Sequence, residues 1–172
     1  MAAERIPILL TRPGPPGSSV GSAPATGENV GPEAEEAAVI KNPPEGFPRI
    51  TPYLLYEDVD TAADWLMRVF GFEERFRMKG PDGKGMHAEL GLADGIVMMG
   101  NPGPDYQNPA HRGGVTQLVH VYVDDVDAHC AQARAAGAEI LAEPEDQDYG
   151  ERRYHCRDPE GHSWYFAQPL DR

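Results

Sequence analysis

Hydrophobic and polar residues follow a regular pattern only after a long irregular N-terminal stretch. Residues 50–56 are rich in β-branched, aromatic and aliphatic side chains, which predicts a strand. Apolar residues at 62–70 then recur at helical spacing, and either Asp58 or Asp60 can cap the start of this helix. Gly71 is a typical helix stop. The pattern therefore predicts a strand followed by an amphipathic helix.

Three more predicted strands follow this helix. Residues 73–78 and 86–92 favour a hairpin, because the Gly-Pro-Asp-Gly sequence at 80–83 is typical of a turn. Apolar and polar residues alternate in 86–92, as they do in a strand with one buried face. A second turn at 93–95 leads into a short strand at 96–99. This part of the chain therefore predicts the order β-α-β-β-β.

The same order recurs after a connector rich in Pro and Gly at 102–114. Residues 116–123 predict a strand, and the helix after it can begin at either Asp124 or Asp125 and ends at Gly137. The remaining strands of this half are predicted at 139–142, 152–157 and 163–167.

The two halves are related by a nearly constant offset. The Asp-Val-Asp sequence at 58–60 recurs 67 residues later at 125–127. Two structural glycines recur 66 residues later, as Gly71 with Gly137 and Gly95 with Gly161. Each copy alone would leave one sheet face and one helix stripe uncovered. The sequence therefore predicts an α+β domain made of two packed βαβββ modules.

The N-terminal stretch has a different composition. Nine of the 17 prolines lie in residues 1–48, mixed with Gly, Ser, Ala and Glu, and such a segment buries too little apolar surface to offset its ordering entropy. The predicted organisation is a disordered tail at 1–46 and a domain at 47–170, with module one at 49–101, the connector at 102–114 and module two at 115–168.

Charge and cysteine content narrow the possible partners. The formal net charge of −13 argues against nucleic acid and against an anionic membrane surface. No apolar run approaches the roughly 18 residues that a membrane helix needs. The two cysteines, Cys130 and Cys156, have no spacing typical of a metal or redox pair. These features predict a cytoplasmic protein with reduced thiols and no nucleic-acid or membrane partner.

Six segments carry a family resemblance, namely 50–54, 86–90, 121–127, 136–138, 149–152 and 158–164. Together they resemble the vicinal oxygen chelate superfamily, the fold of glyoxalase I and the bleomycin-resistance proteins, and within it the PhnB-like branch. The resemblance implies that paired modules form a curved mixed sheet around a small-molecule cavity, within one chain or between two. Members often dimerise, so a homodimer is expected.

Family enzymes hold a divalent metal with four side chains, one from the first and one from the last strand of each module. The equivalent positions here, counted from the shared landmarks, are Thr51, Met99, Leu118 and Tyr165. None of the four is a histidine or a carboxylate, so no metal and no other cofactor is predicted. A displaced divalent metal held by His87, His120 and Glu89 is a minor alternative.

Strand parity and the resemblance together predict which residues line the cavity. Residues two apart in a strand share a face, and the first strand of each module faces the cavity in the family. The predicted ligand-binding residues are Tyr53, His87, Glu89, Met99, His120, Tyr122 and Tyr165. Aromatic, thioether and imidazole groups with one carboxylate suit a flat or partly conjugated organic molecule.

Structural roles stay open for several of these residues. His87 could instead bond a neighbouring strand, Glu89 could pair with an arginine, and Met99 could lie in the core. Elsewhere, the sequence predicts a solvated His129 on the second helix, and Arg152 with Asp158 holding the Asp-Pro-Glu-Gly turn together.

Three functions are compatible with this pattern. The first is a metal-free protein that sequesters an aromatic or hydrophobic compound. The second is a glyoxalase-type lyase, isomerase or dioxygenase with an atypical metal site or a metal-free acid-base mechanism, in which His120 is the candidate base. The third is a non-catalytic scaffold or regulatory subunit. The superfamily includes isomerases, lyases, dioxygenases, thiol transferases and drug-binding proteins, so the fold alone does not decide among them.

Overall fold

The computed structural model describes residues 41–170, so the predicted disordered tail lies outside the described residues except for 41–46. The elements are β1 (Tyr53–Leu55), α1 (Val59–Phe70), β2 (Glu73–Lys79), β3 (Gly85–Leu92), β4 (Gly95–Gly100), α2 (Pro109–Arg112), β5 (Leu118–Tyr122), α3 (Val126–Ala135), β6 (Glu139–Gln147), β7 (Glu151–Arg157) and β8 (Ser163–Pro169). Apart from the short α2, this is the predicted βαβββ order twice over, and the α+β fold class is confirmed. Among the described residues, no helix has the length and apolar character needed to cross a membrane.

The sequence offers two candidate caps for each long helix, and the structure shows which one is used. The side chain of Asp58 accepts a hydrogen bond from the Thr61 N–H, so Asp58 rather than Asp60 is the N-cap of α1. Asp125 accepts from the Ala128 N–H in the same way at the start of α3. Each cap satisfies an N–H group that has no partner within its helix.

Each module has its own four-stranded mixed sheet. The strand orders are β1-β4-β3-β2 and β5-β8-β7-β6, and the first strand of each module runs parallel to the last. The other pairs are antiparallel. Between residues 41 and 170 no strand of one sheet pairs with a strand of the other. The two modules therefore have separate sheets within this part of the chain.

One hydrophobic core serves both modules. Helices α1 and α3 contact each other, and the buried cluster around them draws side chains from one face of each sheet. The Phe70 ring at the end of α1 lies 5.5 Å from Trp164 and 4.7 Å from Phe166, both on β8. Because each sheet turns one face to this common core, the other face of each sheet points away from it.

We call these outward surfaces the first and second open faces. The first carries Tyr53, Leu55, Phe76, His87, Glu89 and Met98. The second carries Leu118, His120, Tyr122, Glu151, Arg153, His155, Ser163 and Tyr165.

The Asp-Pro-Glu-Gly turn joins the two modules. The buried carboxylate of Asp158 accepts a hydrogen bond from the Tyr56 hydroxyl at 2.7 Å and from the Trp164 indole at 3.1 Å. Two residues on, the Glu160 carboxylate accepts from the N–H groups of Glu57 and Asp58 at 2.7 and 2.9 Å. A turn of module two therefore holds the β1–α1 loop of module one.

Two sequence predictions about polar residues were wrong. Arg152 does not brace this turn, because its guanidinium donates to Asp127 on α3 and to Asp146 on β6. His129 is not solvated, since its ring lies 4.3 Å from that of Phe166 and both of its nitrogens have partners. In both cases at least one partner lies 25 or more residues away in the sequence, so local sequence does not reveal it.

Candidate ligand-binding site

The structure divides the predicted site residues among three locations. Tyr53, His87 and Glu89 lie together on the first open face, and His120, Tyr122 and Tyr165 lie together on the second. Met99 lies in the shared core, fully buried. The face assignment from strand parity therefore holds within β1, β3 and β5, whereas the position on β4 is off by one residue.

Met99 lies in the core because of the register between β1 and β4. Leu54 is opposite Met99, and both are buried in the shared core. Tyr53 is opposite Met98, so Met98 is the β4 residue on the first open face. The same register in module two sets His120 opposite Tyr165. The structural equivalent of Tyr165 is thus Met98, and the prediction that Met99 contacts ligand is corrected.

The counting error comes from two turns of different length. In module one, Leu92 pairs directly with Gly95, so only two residues form the turn. In module two, Arg157 pairs with Ser163, and five residues separate them. Gly95 and Gly161 therefore do not occupy equivalent places, although they match in the sequence offset.

A tyrosine, a histidine and a glutamate are arranged in line on the first open face. The Tyr53 hydroxyl lies 3.0 Å from His87 Nδ1, and His87 Nε2 lies 3.6 Å from a Glu89 carboxylate oxygen. The Phe76 ring lies 6.2 Å from the imidazole. Partial burial raises the pKa of the Tyr53 hydroxyl. At neutral pH this tyrosine is therefore a hydrogen-bond donor or acceptor and not an anion.

Gly100 is a member of this site that the sequence did not reveal. A Cβ atom at this position would lie 2.8 Å from Cε1 of the Tyr53 ring, closer than side chains approach each other. The absence of a side chain lets the Tyr53 ring lie across β4 towards His87. A glycine at the end of a strand was the available signal, since such a glycine often marks close approach of another group.

The second open face is organised around Glu151, another residue that sequence analysis did not select. Glu151 is 7% exposed and accepts a hydrogen bond from the Tyr122 hydroxyl at 3.3 Å. His120 Nε2 lies 3.5 Å from the same carboxylate oxygen. The His120 ring approaches Tyr122 and Tyr165 edge-on, at 5.0 and 6.5 Å between centroids. Glu151 therefore positions two of the predicted site residues.

Tyr165 is also in contact with residues of β7. Its ring lies 4.5 Å from that of His155, whose Nε2 is 2.6 Å from the Ser163 hydroxyl. The Arg153 guanidinium carbon lies 4.4 Å from the centre of the Tyr165 ring, within the range of a cation–π contact. Burial, with the nearby arginines, lowers the pKa of His155. The imidazole of His155 is therefore neutral at pH 7.

The residues at the family metal positions do not fit a divalent ion. Thr51, Leu118 and Tyr165 offer no histidine or carboxylate, and Met99 lies in the core. Each open face offers one pairing of a histidine and a carboxylate, His87 with Glu89 and His120 with Glu151. Between residues 41 and 170 no three His, Cys, Asp or Glu side chains are grouped so as to hold a metal ion.

Comparison with known proteins agrees with this fold. The family model of the Glyoxalase/Bleomycin resistance protein/Dioxygenase superfamily matches residues 46–166, and the chain belongs to this superfamily.

Among solved structures, the chain is similar to TioX from Micromonospora sp. ML1, with 40% sequence identity and a TM-score of 0.59 over 70% of this chain and 98% of TioX. It is also similar to the uncharacterized protein Rv0887c of Mycobacterium tuberculosis (strain ATCC 25618 / H37Rv), with 35% identity over 128 residues that make up 72% of this chain and 75% of the relative. A glyoxalase/bleomycin resistance protein/dioxygenase family enzyme from Burkholderia phytofirmans PsJN shares the fold, with a TM-score of 0.54, 19% identity, and coverage of 69% of this chain and 95% of that chain.

Proposed function

We propose that the protein is a metal-free small-molecule-binding protein that sequesters an aromatic or hydrophobic compound. The observation that carries this proposal is the set of side chains on the two open faces. None of the family metal positions holds a histidine or a carboxylate, while tyrosines on both open faces remain accessible. Tyr53 is 48% exposed and Tyr122 is 63% exposed. Accessible aromatic rings next to a few fixed polar groups are typical of sites for flat organic ligands.

The proposed working form is a homodimer. Both open faces point away from the shared core, and both expose large apolar side chains. These exposed residues include Leu55, Phe76 and Met78 on the first sheet and Leu118, Tyr122 and Leu141 on the second. A two-fold dimer that sets the first open face of one copy against the second open face of the other would cover both surfaces at once. The ligand would then lie between Tyr53, His87 and Glu89 of one copy and Tyr165 of its partner.

The proposed location is the cytoplasm. Cys130 and Cys156 are both free thiols in the structure, and both are buried. Burial raises the pKa of each thiol, which makes the thiolate scarce at neutral pH. Unpaired, unreactive cysteines are compatible with a reducing compartment.

Binding of 2-naphthamide, a neutral aromatic probe, tests the proposed function. Protein dialysed against EDTA should bind the probe saturably in isothermal titration calorimetry. Tyr165→Ala should weaken binding by about tenfold or more, because the ring supplies a stacking surface. Tyr165→Phe, the matched control, keeps the ring and should bind nearly as well as the natural protein.

Two results would contradict a metal-free binder. One is probe binding that occurs only after a divalent metal is added. The other is stoichiometric metal in the purified protein that is lost in His120→Ala. Failure of the probe to bind at all would remove the support for an aromatic site.

The line of polar groups on the first open face favours a second candidate function, acid-base catalysis without a metal. His87 lies between the Tyr53 hydroxyl and the Glu89 carboxylate, and His120 has Glu151 beside it in a similar way. A carboxylate next to an imidazole can orient it and support proton transfer. Turnover of a 2-oxoaldehyde, catechol or epoxide that depends on His120 or His87 would favour this alternative.

A further inference from the structure

Among the residues that the structure describes, one cation on the second open face has no carboxylate partner. Arg153, on β7, is half-buried, and its guanidinium carbon lies 4.4 Å from the centre of the Tyr165 ring and 5.6 Å from that of Tyr149. In the described part of the chain no Asp or Glu oxygen lies within 4.0 Å of it. Arg68 and Arg75 also lack an ion pair, but each donates to a backbone carbonyl oxygen, whereas the contacts of Arg153 within residues 41–170 are with aromatic rings.

The neighbouring carboxylates do not form an ion pair with Arg153. Glu151, two residues earlier on the same face, is already engaged by Tyr122 and His120. Glu145 lies directly opposite Arg153 on β6, but its side chain is exposed and makes no ion pair with it. Arg157, four residues later on the same strand face, does have a carboxylate partner, Glu139 at 3.6 Å. The open position at Arg153 is therefore not a general property of this strand.

The ring contacts of Arg153 do not use up the N–H groups of its guanidinium. A guanidinium that rests against aromatic rings still presents N–H groups at its edge, in the fork that matches a carboxylate. Next to it lies the Tyr165 ring, which offers a stacking surface. The guanidinium of Arg153 and the ring of Tyr165 together would bind a planar anion attached to an aromatic ring.

We propose that the second open face binds an aromatic carboxylic acid, with Arg153 as the residue that anchors the carboxylate. This rests on the proposed small-molecule function and narrows its ligand from any aromatic compound to an acidic one. The aromatic part of the ligand stacks beside Tyr165, and its carboxylate takes the place of the missing protein carboxylate at Arg153.

A pair of probes with the same ring system tests this. 2-Naphthoate carries a carboxylate where 2-naphthamide carries a neutral amide. Calorimetric titration at neutral pH should give binding of naphthoate about tenfold or more tighter than naphthamide, since a charge-assisted pair of hydrogen bonds is gained. Arg153→Gln should abolish this preference and leave naphthamide binding in place. Arg153→Lys should retain part of it.

Arg157→Gln is the matched control, because it removes an ion-paired arginine from the same strand face. It should keep the preference for naphthoate. Thermal unfolding of each variant shows that the domain is folded during the titrations.

The outcomes separate the two proposals. Equal binding of both probes to the natural protein overturns the acid site and leaves the aromatic binding function intact. A preference that persists in Arg153→Gln also overturns it. Loss of both probes in folded Arg153→Gln would make Arg153 a support for the Tyr165 ring and not an anchor. If neither probe binds the natural protein, the proposed function fails together with its refinement.

Discussion

His129 shows how one polar ring is accommodated in the shared core. Its Nε2 lies 3.2 Å from the Phe70 carbonyl oxygen, which can only accept, so Nε2 carries the proton of the neutral ring. Nδ1 then accepts from the Tyr154 hydroxyl at 2.8 Å. This single side chain joins the end of α1, α3 and β7. Desolvation by burial lowers its pKa from the ordinary 6.5.

The lowered pKa of His129 predicts that stability depends on pH. Below about pH 6.5 the unfolded chain binds a proton that the folded state resists, so the free energy of unfolding falls as the pH decreases. His155, whose pKa is also lowered, acts in the same direction. Urea unfolding across this range should show a smaller loss of stability at acid pH in His129→Gln than in the natural protein.

Tyr154→Phe provides the control for this measurement. It removes the hydroxyl that His129 contacts but leaves the titrating ring, so it should lower the overall stability and keep the pH dependence. A pH dependence that is identical in His129→Gln and in the natural protein would show that His129 is not its source.

At the scale of the elements, sequence pattern located the long helices and most strands and was weaker at their ends. The helices were predictable because capping and apolar spacing act locally, as at Asp58 and Asp125. Helix α2 was missed since four residues carry no periodicity, although Asn108 caps it. Strand β6 extends to Gln147, beyond its apolar start, because pairing with β7 stabilises polar residues that have no strand preference of their own.

The cap of α3 gives a prediction at this scale. Asp125→Ala removes the acceptor for the Ala128 N–H and should lower the free energy of unfolding by about 1 kcal/mol in urea titrations. Asp124→Ala is the matched control, because it removes the adjacent carboxylate that is not the cap. Its effect should stay within about 0.5 kcal/mol, as is usual for surface positions. Equal losses in the two variants would mean that general charge, and not capping, explains the effect.

At the scale of the whole molecule, the fold was predictable and the site only in part. The duplication and the alternation of side chains along a strand can be read directly from the sequence. They placed Tyr53, His87 and His120 on the sheet faces where the structure shows them. The relation between strands depends on turn lengths, which is why Met99 was assigned to the wrong face. The proposed role of Arg153 depends on the lack of a carboxylate partner between residues 41 and 170, and no sequence pattern predicts such a lack.

The homodimer proposed above predicts the effect of a charge on the second open face. Leu118 is 45% exposed there, and Leu118→Glu would put a carboxylate into the covered apolar surface of the dimer. Sedimentation velocity should show a dimer for the natural protein and a dimer Kd raised by about tenfold or more in this variant. Ile50→Glu, at an 86% exposed position outside the strands, should leave the dimer unchanged. A natural protein that sediments as a monomer would exclude the shared site.

Because the two modules share one core and leave their other sheet faces open, ligand binding would depend on the concentration of the protein. Within residues 41–170, one chain offers two separate open faces, because no strand of one sheet pairs with a strand of the other. If a second copy is needed to enclose the ligand, ligand occupancy rises with protein concentration by mass action. Ligand binding in turn favours dimerisation by the same factor. Dilute protein would then bind its ligand weakly. Higher expression would increase the apparent affinity for the ligand as well as the number of binding sites.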